Sequence, residues 1–432
     1  MAPSPVAGYH AGRSVGIRVP RRPGTSISTM ATGTRTTCPT PTTNGRCVRG
    51  VPEHSGPPFD FGSVHRAWLD CRRGKGNSPS RWRFEADLER NLIRLVDELQ
   101  SRRYQPSPSV CFATDQPKRR EIFAAAFRDR VVHHLLVRQL EPYWERRFIH
   151  DSYACRRGKG TLAAVNRVQQ FIRQATGNGS ARAWFLHLDI RSFFVNIDKA
   201  VLLAILESGL ERQRHPWAND LQWLSRCIVS RDPCLDAHRI GAELNAVPAH
   251  KSLYGTGNVR GLPIGNYSSQ FFANVYLDRL DQFVKHDLRH KYYLRYVDDL
   301  VLLDRDPERL LERENAIATF LQRELRLALN PGARVLAPTS NGIDILGYMI
   351  HREHRLLRRR TVRRFEQRLR KSGALMVKPQ GDRMVVRYPP QDVERLLAMC
   401  MSYRGLLHKG NSFHLMCRFS SVPTFIQKES TG

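Results

Sequence analysis

Two strand-like runs, Tyr292 to Val297 and Leu300 to Leu303, are separated by Asp298-Asp299 alone. That spacing predicts a two-residue β-hairpin, and with it an antiparallel sheet carrying a pair of acids at one tip. A third run, Trp184 to Ile190, passes from apolar residues into Asp189 and reads as another strand, followed by a helix from about Lys199. An acid at a strand end is often a helix cap, and Asp-Asp in a turn is ordinary turn chemistry. Together, two carboxylate clusters on neighbouring strands of one sheet are suited to two magnesium ions about 4 Å apart, with manganese as a substitute. Ions so held activate an attacking hydroxyl and stabilise a departing pyrophosphate, which is polymerase chemistry.

Around these strands the pattern is helical. From Phe84, the residues Leu88, Leu92, Leu95 and Leu99 recur at three- and four-residue spacing until Pro106 and Pro108 break the helix. A second helix from about Arg128 presents Val131, Val132, Leu135, Leu136 and Leu140; His133 and His134 on it read as ordinary core or surface histidines. Residues 228–260 read as a loop-rich insertion. Ser268 and Ser269 are placed to cap a helix whose buried stripe is Phe272, Val275, Tyr276, Leu280 and Phe283. The last helix, from Arg358, sets Val362, Phe365 and Leu369 against a face of arginines.

The 432 residues suffice for two or three domains, and 69 Lys and Arg against 40 Asp and Glu leave a formal charge of +29. Charge spread through the folded region favours a polyanionic partner, nucleic acid first. Nine scattered cysteines without a C-x-x-C pair indicate neither a zinc site nor a disulfide scaffold. No apolar run approaches the roughly 18 residues of a membrane span, so a cytoplasmic protein with no membrane partner is expected. The first residues hold no acid before Glu53 and show no periodicity, and are expected to form a disordered basic leader. Their Arg and Ser content also resembles a transit peptide, with Met30 as an alternative start.

Motif order then brings in a family. Tyr296-Val297-Asp298-Asp299 resembles the catalytic hairpin of reverse transcriptases, and Leu188-Asp189-Ile190-Arg191-Ser192-Phe193-Phe194 their first catalytic strand. Around these lie, in order, Lys118 to Ile122, Asp151 to Gly160, Gly261 to Asn266 and Gly342 to Tyr348, so that the resemblance spans about residues 60–420. Ile264-Gly265-Asn266-Tyr267-Ser268-Ser269-Gln270 is most similar to the reverse transcriptases of diversity-generating retroelements, where other branches typically have Gln at the place of Ile264.

The resemblance implies an α+β right-hand polymerase fold with fingers, a palm of small antiparallel sheet plus helices, and a helical thumb. The expected divisions are a leader over 1–58, an N-terminal extension and fingers over 59–180, a palm over 181–350, a thumb over 351–425 and a tail over 426–432. It implies metal ligation by Asp189, Asp298, Asp299 and the Ile190 carbonyl. Lys118, Arg120, Arg191, Phe194, Ile264 and Gly265 would meet the deoxynucleoside triphosphate, with Phe194 excluding a 2′-hydroxyl. Gln270, Gly347 and Tyr348 would meet template and primer. Loss of the Gln amide at Ile264 would loosen base-pair selection, and in the resembled group errors fall mainly at template adenines before the DNA replaces a variable repeat. Template RNA, primer, cDNA and a small basic accessory protein are the implied partners.

One departure stands out. Ala333 occupies the place of a lysine proposed in many relatives as the acid for pyrophosphate, and the adjacent Arg334 is a poor proton donor. Two rival readings are a retron-like or defence-associated reverse transcriptase of ordinary fidelity and a catalytically silent RNA-binding protein. The intact acids at 189, 298 and 299 argue against the second.

Overall fold

The computed structural model describes residues 57–73, 78–114, 119–380, 383–386 and 390–420. The expected leader (apart from residues 57 and 58), Lys118 and the tail lie outside them. In chain order the first elements are α1 (Phe61–Arg72), α2 (Pro79–Glu85), α3 (Leu88–Gln100), β1 (Val110–Thr114), β2 (Arg120–Ala124), α4 (Phe127–Arg147) and α5 (Thr161–Ala175). Next come β3 (Trp184–Asp189), α6 (Phe193–Asn196), α7 (Lys199–Gln213), α8 (Ala218–Val229), β4 (His238–Ile240) and α9 (Tyr267–Gln282). The acid-bearing hairpin is β5 (Tyr292–Tyr296) and β6 (Asp299–Asp304), followed by α10 (Pro307–Leu325) and β7 (Val335–Pro338). The chain then runs through β8 (Ile343–Ile345), β9 (Tyr348–Ile350), β10 (Arg355–Leu357), α11 (Arg359–Met376), β11 (Val377–Gln380), β12 (Arg383–Val386), α12 (Pro390–His408) and α13 (Phe413–Ser420).

Three expectations shift in detail. The helix read from Phe84 is two: α2 ends at Glu85, and α3 starts at Leu88 after its own break, burying Leu92, Leu95 and Leu99. Ser268 and Ser269 do not cap α9. Asn266 takes the N-cap position, and both serines lie buried in the first turn. The hairpin loop is Val297-Asp298 rather than Asp298-Asp299, because Tyr296 pairs with Asp299 and makes Asp299 the first residue of β6. The insertion at 228–260 is loop-rich as expected, yet it contributes β4, which pairs parallel to β1.

The sheet that carries the acids has the order β5-β6-β3-β7 and is antiparallel throughout. It is covered on both faces, which explains the unbroken apolar run of β6. Leu300 and Leu302 face a core shared with α3, α4, α9 and α10, while Val301 and Leu303 face a second core shared with α5, β8 and β9. Helix α10 shows why such packing is stable. Leu310, Ile317, Leu321 and Leu325 lie on one stripe and all are fully buried, each worth about 1.5–3 kcal/mol of transfer free energy. In α11, Phe365 is buried and Val362 and Leu369 pack beside it on the second core, as the sequence pattern predicts.

His133 and His134 prove structural. His133 Nδ1 lies 2.5 Å from Ser268 Oγ, and the His134 ring stacks on Tyr267, so together they pin the start of α9 to α4.

Candidate active site

Pairing alone brings the acids together. β3 and β6 run antiparallel with Asp189 opposite Asp299, and Asp298 precedes Asp299 in the hairpin loop. The Ile190 amide donates to the Asp298 carbonyl at 3.3 Å, tying the end of the first strand to the loop. Val297 holds φ at +56°, a left-handed conformation that a β-branched residue seldom adopts and that marks a turn held under strain.

The electrostatics follow from this crowding. The Asp298 carboxyl is pushed up to about 6 by burial first, then by the charges of Asp299 and Asp189, with Arg120 partly offsetting them. The pairing of Asp189 with Asp299, and the adjacency of Asp298 to Asp299, put these charges in one neighbourhood. The offsetting cation, Arg120, is the first residue of β2.

Two further side chains orient the flanking acids, and sequence reasoning missed both. His187 Nε2 lies 2.9 Å from Asp299 Oδ1, and Asn330 Nδ2 donates to Asp189 Oδ2 at 2.8 Å. His187 precedes Asp189 by two positions on one strand, hence on one face, and that His-x-Asp spacing was a usable signal. Asn330 offered no local signal. It reaches Asp189 from 141 residues away through a bridge between Ile190 and Leu329.

Among the described residues, no three His, Cys, Asp or Glu side chains form a ready-made metal cage. Like charges repel, and Asp189 and Asp299 each turn one oxygen to a neighbouring donor. The donor set still suits a hard divalent cation, being carboxylate oxygen crowded enough to hold one acid partly protonated.

The other predicted residues divide. Phe193 is core and Phe194 is half-buried, its carbonyl accepting from the Leu262 amide at 2.8 Å. Ile264 is half-buried, and its carbonyl accepts from the Phe123 amide of β2 at 2.8 Å. Gly265 has φ +121°, and an added Cβ would lie 2.9 Å from the Phe123 carbonyl oxygen. The missing side chain at Gly265 thus permits a close approach to β2. Arg191 and Gln270 are exposed.

Gly347 and Tyr348 are not brought to this site by any contact among the described residues. Leu346 and Gly347 form the positive-φ loop of the β8–β9 hairpin. The Tyr348 ring is buried and its hydroxyl donates to the Leu406 carbonyl at 3.1 Å, so it ties β9 to α12. Arg334 is held by Glu314 at 2.6 Å, which draws it further from proton donation.

Residues 114–350, over half of the chain, match the family described as reverse transcriptase (RNA-dependent DNA polymerase). The chain belongs to the reverse transcriptases. As a member it has the right-hand polymerase fold, and its enzyme class is RNA-directed DNA polymerase, a nucleotidyltransferase. Protein YkfC of Escherichia coli (strain K12) is 25% identical over 314 residues, 64% of this chain and 74% of that protein. The "Uncharacterized 91 kDa protein in cob intron" of Schizosaccharomyces pombe (strain 972 / ATCC 24843) is 23% identical over 196 residues, 45% of this chain and 21% of that protein. Among solved structures, telomerase from Candida albicans in complex with a TWJ fragment of telomeric RNA aligns with a TM-score of 0.38 and 12% identity. That alignment covers 66% of this reverse transcriptase and 55% of the telomerase chain.

Proposed function

We propose that this reverse transcriptase copies a template RNA into cDNA with low fidelity, in the service of a diversity-generating retroelement. The observation that carries the catalytic part is the convergence of Asp189, Asp298 and Asp299 beside Arg120. Magnesium ions, or manganese in their place, would be held by these carboxylates and the Ile190 carbonyl, and supply activation of the primer 3′-hydroxyl and charge for the leaving pyrophosphate.

The chain's own residues do the rest. Arg120 and Lys118 grip the triphosphate through charge-assisted hydrogen bonds. Half-buried Phe194, whose backbone carbonyl is tied to the Leu262 amide, would set its ring under the sugar and leave no room for a 2′-hydroxyl. Residues 59–180, 181–350 and 351–425 serve as fingers, palm and thumb, and the basic face of α11 follows the template–primer duplex by its phosphates. The test is extension of a DNA primer on an RNA template by the full chain with magnesium, with chelation as control. Extension that stops on chelation supports the reading; RNA binding without extension favours the silent RNA-binding alternative.

Two substitutions test the finer assignments. Phe194→Ala is expected to lower discrimination against ribonucleotides by about 10–100-fold, read as the ratio of kcat/KM for deoxy- and ribonucleotides. An unchanged ratio would remove Phe194 from the sugar site. Ile264→Gln is expected to lower misincorporation opposite template adenine by about 10-fold through a restored hydrogen bond to the nucleotide. Equal error rates would count against the retroelement reading and favour a retron-like or defence-associated enzyme of ordinary fidelity.

A further inference from the structure

Two residues before the strained loop, β5 carries a charge with no access to solvent. Arg295 and Asp281 are both fully buried, and they form a forked pair: Arg295 Nε donates to Asp281 Oδ1 at 2.9 Å and Nη2 to Oδ2 at 2.8 Å. Arg295 Nη2 also donates to Ser152 Oγ at 3.1 Å, and Nη1 to Asn274 Oδ1 at 3.1 Å. The remaining Nη1 hydrogen bond, also 3.1 Å, goes to the carbonyl of Val297. All five guanidinium donors are therefore spent, one of them on the turn that presents Asp298.

Strain makes this last contact consequential. A β-branched residue at φ +56° relaxes unless its surroundings hold it, and the described contacts to the turn's carbonyls come from two sides. The Ile190 amide takes the Asp298 carbonyl, and Arg295 takes the Val297 carbonyl. The guanidinium is itself immobilised by α9, through Asn274 and Asp281, and by the 151–153 segment, whose backbone pairs with Arg295 on both sides. We infer that Arg295 is a positioning residue that clamps the Val297 carbonyl onto α9 and so sets where the Asp298 carboxylate stands relative to Asp189. The inference rests on the polymerase reading of the acids.

Lysine cannot reproduce the clamp, because one ammonium on a flexible stem keeps the charge against Asp281 but not a planar fork reaching four partners. In the full chain, with magnesium, an RNA template, a DNA primer and the matching deoxynucleotide, Arg295→Lys is expected to lower kcat by about 100-fold. The nucleotide KM and the primer–template Kd should stay within about threefold, since binding groups elsewhere are untouched. Leu321→Ala, a core truncation in α10, is the comparison for lost stability and should cost kcat far less at a similar fall in melting temperature. Should Arg295→Lys fail to fold, the uncharged pair Arg295→Met with Asp281→Met removes both buried charges together and should show the same kcat loss, because the Val297 carbonyl then loses its guanidinium donor. Wild-type kcat in either folded variant, or a loss no greater than that of Leu321→Ala, would overturn the assignment. A wild-type chain that extends no primer would instead sink the polymerase reading beneath it.

Discussion

Asp298→Asn is expected to abolish primer extension, by at least about 10³-fold, while making the metal-free chain harder to melt. The first effect follows from removing a carboxylate at the point where nucleophile and leaving group must be neutralised. The second follows from the raised pKa. The folded carboxyl, at about 6 against an ordinary 3.8, holds its proton more tightly than in the unfolded chain. Above pH 6 its ionisation therefore costs stability, and the cost fades as the pH falls through 6 toward 3.8. Solvent screening at a half-buried group leaves about 1–2 kcal/mol, equivalent to a rise of roughly 2–6 °C in Tm at about pH 8 in chelator. Asparagine cannot ionise, so the gain over wild type should shrink between about pH 8 and about pH 5. A Tm that falls at the higher pH would show that Asp298 supports the fold and is not strained for function.

Asp281→Ala is expected to be among the most destabilising single changes in the chain. Burial works against the charge of Arg295, and the Asp281 carboxylate more than offsets it, holding the guanidinium above its usual range. Removing Asp281 leaves a fully buried cation without its counter-charge and the Tyr293 hydroxyl without the acceptor it reaches at 2.8 Å. Breaking a buried pair from one side costs about 3–5 kcal/mol, or a fall of roughly 5–10 °C in Tm. The double change to methionine should recover a large part of that loss, because the desolvation penalty disappears with both charges. Thermal melts of the single and double variants check this, and equal losses in the two would contradict it.

The pattern of what could be read in advance has a physical basis. Three strands, the acids at their ends, α7 and the amphipathic α11 were legible from spacing, because strand and helix periods are local. The motif order led to the reverse transcriptases, and the family match over residues 114–350 agrees. The hairpin register was read one residue out, since Val297 looks like strand in composition and only pairing shows that it turns with positive φ. Gly347 and Tyr348 were read from their motif as meeting template and primer, and nothing local in that motif foretells the hydrogen bond of Tyr348 to Leu406, more than 50 residues on.

The amino-acid order alone determined which groups this protein owns: three acids placed to meet on one sheet, a polycationic surface and an aromatic five residues past Asp189. The tertiary structure alone decided how those groups are held. Asn330 on Asp189, the Arg295 fork on Val297 and Gly265 against β2 join segments distant along the chain. Such contacts depend on hydrogen-bond geometry set by packing, and packing leaves no period in a sequence.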